Sequence, residues 1–490
     1  MSSPRVFQLA DRITMSQPQK ASLKNLYGSS PAFVISAIFQ HEMTSQLNHL
    51  VICPDAESAA YLHNTIENLI KGLDVFYFPS SFKNQKNYRL LNSSHVMLRT
   101  ETLTRWSMGG NKKLLVTYPE ALFEKVVLPK TLSGNIIHIK SGDAIDLNGL
   151  MEKFVQYGFE RTDFVYEPGQ FALRGGILDI YSFGNEKPYR VELFGNDVDS
   201  IRIFDPETQL SERKLLQVSI IPNIETQFDD KEKVSLFDFI PRNTVVWAQD
   251  WDFAKERLLI EEENLQLFIE LGDIGYGTRE NEDGNAEKKK INENDFITAK
   301  SADEQIKHFH FVEFGNSVTD NLHDSLTITF NTKAQPSFNR NFDLLMKDLK
   351  EREAKHYSIY LFADNPRQLE RLHTIFEDLH SAIHFIPVPV SIHEGFIDDD
   401  QKIVCYTDHQ IFQRYHKYKV KQAYNKNKAL TLKTLRELQP GDYVTHIDHG
   451  VGVYSGLQKI EVNGKLQEAV RIIYKDSDIL YVNINSLHKI

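Results

Sequence analysis

Gly28-Ser29-Ser30-Pro31, just ahead of the apolar run AFVISAIF, has the outline of a phosphate-binding loop. Such a loop needs glycines so that backbone N–H groups face phosphate, a Lys for the β/γ phosphates, and a Ser or Thr for Mg²⁺. The Lys is missing here, and Pro31 removes an N–H where a donor is wanted. Gly28, Ser29 and Ser30 therefore read as a degenerate loop, an inert turn at a helix start. No GxSxG, HExxH or paired CxxC occurs, so there is no nucleophile elbow or zinc helix to weigh. His446, Asp448 and His449 (THIDHGVG) have the side chains of a metal site. With no fourth ligand nearby, they read better as residues that shape a glycine turn.

The richest stretch is 168–210, PGQFALRGGILDIYSFGNEKPYRVELFGNDVDSIRIFDPETQL. Arg174 and Arg190 fall on predicted neighbouring strands. Phe194, four residues after Arg190, should face the same side of its strand. Arginines beside an aromatic suit a protein-interface hot spot. The same residues also suit exposed salt bridges from Arg174 to Asp179 or Glu192, which contribute little. Pattern alone leaves both readings open.

The elements around these residues change character along the chain. Residues 48–53 (NHLVIC) form a short apolar run. A helical stripe of Ala59, Leu62, Ile66, Leu69 and Ile70 follows, then a second apolar run at 113–117. This is the β-α-β order of a parallel sheet. From 136 to 221 the pattern alternates, with a hairpin turn at Gly195-Asn196-Asp197, and predicts a mostly antiparallel domain. Residues 278–294 are polar and aperiodic and read as a mobile surface loop. A second α/β unit begins at 358–362 (SIYLF), with a helix stripe at Leu369, Leu372, Ile375, Phe376 and Leu379. Residues 414–436 hold eight Lys or Arg and no acid, a basic linker. The last fifty residues alternate between glycines and predict a small five-stranded barrel.

Composition narrows the class. The 490 residues suggest three or four domains, and 41% apolar with 25% charged residues is ordinary for globular chains. A net charge of −11 is poorly suited to gripping a nucleic-acid backbone as a whole. Proteins, or DNA through a limited patch, are the first partners to expect. Cys53 and Cys405 sit in apolar runs and read as reduced, buried thiols. The N-terminus has no apolar signal region and no run of 18 apolar residues exists, which predicts a cytoplasmic chain with no membrane span.

The stretch PGQFALRGGILDIYSFGNEKPYR…FDPETQ is very similar to the second domain of bacterial transcription-repair coupling factors. More distantly it resembles the matching domain of the excision-repair helicase UvrB. QPSFNRNF at 335–342 resembles the family's lead into its third domain. PGDYVTHIDHGVGVYSGLQKIEVNGK…LYVNINSLHKI at 440–490 resembles its RNA-polymerase-interacting domain, related to CarD-type regulators. The resemblance implies an α/β multidomain fold built on a degenerate UvrB-like, P-loop-like parallel-sheet module. Residues 1–130 and 222–340 would form that module, with 131–221 an inserted antiparallel α+β domain. A small α/β domain at 341–413, a linker at 414–437 and a β-barrel at 438–490 would complete the chain. It further implies that Arg174, Arg190 and Phe194 contact UvrA, and that an edge strand with Lys459, Ile460 and Glu461 contacts the RNA polymerase β subunit. The family's ATP- and Mg-dependent DNA translocase would lie beyond Ile490. This chain is thus expected to be a fragment that binds no cofactor, performs no catalysis itself and meets DNA mainly through the missing motor. The rival expectations are an active UvrB-like ATPase and a CarD-like regulator with a structural N-terminal part.

Overall fold

The computed structural model describes residues 3–84, 87–110, 112–206, 208–224, 232–273, 291–315, 325–378, 383–414, 439–446, 449–462, 465–475 and 478–483. The chain divides into two units. One joins Met1–Leu132 to Phe228–Lys421; the other holds Ser133–Gln227 and Gln422–Ile490.

In the first unit the apolar runs become a seven-stranded, wholly parallel sheet. Its order is Leu326–Thr329, Lys20–Lys24, His310–Phe314, Thr244–Gln249, Asn48–Ile52, Leu114–Thr117, Val75–Tyr77. Leu50, Leu115 and Val246 lie side by side in register and are fully buried. Continuous apolar runs are what a parallel sheet covered on both faces requires. The expected helix is Ala56–Leu69, with the Asp55 carboxylate capping it by accepting from the Ser58 N–H at 2.8 Å. Of the predicted stripe, Ala59, Ile66 and Ile70 are buried, whereas Leu62 and Leu69 are only half-buried. His63 is buried beside Tyr77 of the sheet, whereas buried Thr65 accepts from the His393 N–H of a second body at 3.2 Å.

That body is the small α/β domain. Its five-stranded sheet runs Thr332–Ala334, Phe396–Asp398, Ile403–Thr407, Ser358–Phe362, Ile386–Val388, so its first strand precedes the expected start at 341. Leu369, Leu372 and Phe376 of helix Pro366–Asp378 close its core with Leu345, Leu361 and Val404. Leu379 lies outside the described residues, as does most of the 278–294 loop. Part of that predicted loop is regular structure: Glu293–Asp295 form a short 3₁₀ turn, with buried Asp295 paired to Lys233 at 2.7 Å. A buried ion pair fixes a turn that polarity alone assigns to solvent. Cys53 and Cys405 are buried free thiols.

The second unit contains a six-stranded sheet ordered Ser211–Leu215, Asp197–Phe204, Tyr189–Phe194, Ile177–Ile180, Gln170–Arg174, Glu160–Arg161. It is antiparallel except for its last pair. Gly195, at φ +64, makes the predicted hairpin turn. Gly176 is required for another reason: a Cβ there would sit 2.8 Å from the Leu193 carbonyl oxygen. The C-terminal part is a four-stranded antiparallel meander, Tyr443–His446, Gly450–Val462, Lys465–Ile473, Ile479–Asn483, and no fifth strand lies among the described residues. The register slips between Tyr454 and Leu457, where Gly456 has φ +96, so a continuous strand bends through an irregularity instead of ending at a turn. Most of the basic linker lies outside the described residues.

Candidate functional site

Arg174 and Arg190 are not on neighbouring strands, as pattern suggested. Ile177–Ile180 runs between theirs, and it brings Asp179. Asp179 sits directly across from Arg190 and Ala172, with its side chain on the face that carries Arg174. Its carboxylate is fully buried and accepts from both arginines. Arg174 Nη2 donates at 2.7 Å; Arg190 donates with Nε at 2.8 Å and Nη2 at 2.9 Å, a bidentate fork. Arg190 Nη1 also donates to the Gln209 carbonyl at 3.0 Å. Each guanidinium lies over a ring, Arg174 over Phe164 at 4.2 Å and Arg190 over Phe204 at 4.4 Å. The two cations are thus held at fixed positions, Arg174 partly open to solvent and Arg190 mostly enclosed. Arg174 is a third exposed and Arg190 an eighth, at 34% and 13%.

Phe194 lies on the same side of its strand as Arg190 and is 85% exposed, the barest large apolar side chain among the described residues. Nothing in the domain core takes this ring. Glu192, between Arg190 and Phe194, pairs with Arg202 at 3.2 Å and accepts from the Ser200 hydroxyl, not from Arg174. Arg202 lies directly opposite Arg190 and so shares the face with it. Sequence reasoning missed Arg202 as a member. It also treated Asp179 as a surface partner, although an acid inside the apolar run GGILDIYSF was the available signal.

In the C-terminal meander, Tyr443–His446 pairs only with the first part of the long strand, from Gly450 to Val453. Beyond the irregularity, Leu457–Val462 pairs with Lys465–Val470 and has no other strand beside it among the described residues. Lys459, Ile460 and Glu461 fall on this free edge, with Ile460 across from Gln467; their side chains lie outside the described residues. An edge of this kind presents unpaired N–H and C=O groups to an incoming strand.

The turn at Gly28 is filled by the chain itself. The Ser29 N–H donates to the Glu394 carbonyl at 3.1 Å, and the Glu394 N–H donates back to Ser29 Oγ at 3.0 Å. The Tyr27 N–H goes to Thr332 Oγ1 at 3.0 Å. A Cβ on Gly28 would meet the Gly395 carbonyl oxygen at 2.5 Å. Around this contact His393 stacks on Tyr61 at 3.6 Å, and Asn68 donates to the Ser391 carbonyl at 2.8 Å. Burial, with the neighbouring His409, lowers the His393 pKa to about 4. The Ser29 N–H that a phosphate at this turn would need already serves Glu394. The His446 and His449 rings lie 4.8 Å apart between centroids, tilted by 41°; Asp448 lies outside the described residues, and no metal-binding cluster occurs among the described residues. No helix among them is long and apolar enough to cross a membrane.

Two family models match parts of this chain. Residues 137–225 match the model of the UvrB interaction domain, and 438–490 match that of the CarD-like/TRCF RID domain. A transcription-repair-coupling factor of Staphylococcus epidermidis is 24% identical over 540 aligned residues, covering 94% of this chain and 44% of its own length. Those of Staphylococcus haemolyticus and Staphylococcus aureus Mu50 are 23% and 24% identical, with the same coverage. The chain therefore spans less than half the length of these curated relatives. With an α/β body of parallel and mixed sheets, an antiparallel UvrB interaction domain and a C-terminal antiparallel RID domain, it is similar along nearly all of its length to transcription-repair-coupling factors.

Proposed function

We propose that this chain is the adaptor part of a transcription-repair-coupling factor, a cytoplasmic protein in transcription-coupled excision repair. The face of Arg174, Arg190 and Phe194 recruits UvrA. The free edge at Lys459, Ile460 and Glu461 adds a strand to the RNA polymerase β subunit. The chain needs no cofactor for either contact and does no chemistry of its own. ATP-driven translocation on DNA and removal of stalled polymerase belong to the rest of the longer protein, where ATP and Mg would bind.

The observation that carries this reading is the buried Asp179 carboxylate holding two partly exposed guanidiniums beside a bare Phe194. Preorganised arginines lose little conformational freedom on binding, and an exposed aromatic gains the most from a pocket on a partner. At the other surface, backbone pairing supplies affinity and side chains such as Ile460 supply selectivity. Pull-down of purified UvrA and of the polymerase β lobe, each measured separately, tests both halves. Arg174→Ala with Arg190→Ala is expected to abolish UvrA capture and leave polymerase capture intact. Retention of UvrA by the folded double variant would sink the UvrA half, and failure of the wild-type chain to hold the β lobe would sink the other.

A further inference from the structure

Helix Trp251–Asp273 buries one face and leaves another bare. Ala254, Leu258, Glu261 and Leu265 point inward and are buried. On the opposite side Phe253, Leu259, Ile260 and Leu267 are 45%, 51%, 45% and 56% exposed. Phe253, Ile260 and Leu267 are spaced by seven, two helical turns, so they stack in one row along the helix. Glu256, Glu263 and Glu270 follow each of them by three and are exposed too. The outward face thus has the 3-4 repeat of a helix–helix seam, with carboxylates at every second position. The apolar row is about 21 Å long at 1.5 Å rise per residue, enough for four turns of a partner helix.

The charge on this face has no counterpart among the described residues. Lys255 is held by Asp252 at 2.7 Å and Asp303 at 3.6 Å, and Arg257 is held by Glu120. Among the described residues, Glu256, Glu263 and Glu270 form no ion pair. A second copy of this helix would set the same carboxylates against them, and like charges across a seam repel. A helix with apolar residues at the same repeat and Lys or Arg alongside meets both demands at once.

We propose that the outward face of Trp251–Asp273 is a docking site for a basic, leucine-bearing amphipathic helix of a protein partner. It is separate from the two surfaces assigned above and rests on neither. The probe is a fluorescent peptide of about three heptads, with Leu at the seam and Lys at the flanks, together with a twin carrying Glu in place of Lys. The 490-residue chain should bind the Lys peptide saturably, more weakly as salt is raised, and should bind the Glu peptide at least about tenfold less tightly. Ile260→Ser with Leu267→Ser should cost about tenfold or more, with the melting temperature unchanged because both side chains are exposed. Replacing Glu256, Glu263 and Glu270 by Lys should exchange the preference between the two peptides. Equal binding of both peptides, or binding unaffected by the serine variant, overturns the proposal. So does a wild-type dimer in sedimentation that the serine variant dissociates, since the occupant would then be a second copy.

Discussion

Arg190 grips Asp179 with two nitrogens, Nε on one carboxylate oxygen at 2.8 Å and Nη2 on the other at 2.9 Å. Arg174 takes the second of those oxygens from the far side, at 2.7 Å. The carboxylate is wholly buried, Arg174 is a third exposed and Arg190 is mostly enclosed. A buried charge is tolerated only when paired and hydrogen-bonded, and here one anion is satisfied by two cations of a surface. The pairing is therefore internal support for an external face. Of the two readings that pattern alone left open, the salt bridge to Asp179 is present, with its acid buried instead of exposed.

Asp179→Ala should show this coupling. Both guanidiniums lose their anchor, and the fold should lose about 3 kcal/mol in urea denaturation, the low end for breaking a buried pair, because Arg174 can turn to water. UvrA capture should fall with it. A variant as stable as wild type would mean that Asp179 is not the support it is taken to be.

Phe194→Ala separates binding from folding. The ring is 85% exposed, so stability should change by no more than about 0.5 kcal/mol. Affinity for UvrA, measured by titration calorimetry, should drop at least about tenfold, or 1.4 kcal/mol.

Ile460→Asp addresses the other surface. A charge introduced on the free edge of Gly450–Val462 should weaken capture of the polymerase β lobe by about tenfold while UvrA capture holds. Equal losses at both partners would point to misfolding instead.

Gly28→Val should unseat the Ser391–Gly395 segment. The new side chain meets the Gly395 carbonyl oxygen and must adopt φ +56, at a cost of about 2–3 kcal/mol. Amide exchange at Ser29 should quicken as its bond to Glu394 opens. ATP with Mg should raise the melting temperature of neither wild type nor variant; a rise in either would reinstate a nucleotide at this turn.

Acid should loosen the same contact. Folding holds the His393 pKa near 4, against an ordinary 6.5, so as pH falls the unfolded chain takes the proton first. Stability is then level above about 6.5 and declines from there toward 4. His393→Phe keeps a ring on Tyr61 and removes this titration. Between pH 7 and pH 5 its urea midpoint should fall less than that of wild type.

Much of the architecture was legible in the residues. Unbroken apolar runs such as NHLVIC have only one stable setting, a strand covered on both faces, and alternation around Gly195-Asn196 has only a hairpin. The missing Lys after Gly28 and the spacing of Arg190 and Phe194 along one strand follow from local chemistry that spacing alone fixes. Contacts between one strand or turn and another were not legible. That Ile177–Ile180 enters between the two arginine strands, that Glu394 fills the turn at Gly28, and that Gly456 bends one strand where a break was expected depend on which segments meet. Burial and pairing set those outcomes, across 365 residues between Ser29 and Glu394 but only 5 and 11 between Asp179 and its arginines, because the energy of a buried Asp179 or a spent Ser29 N–H exists only once the partner has arrived.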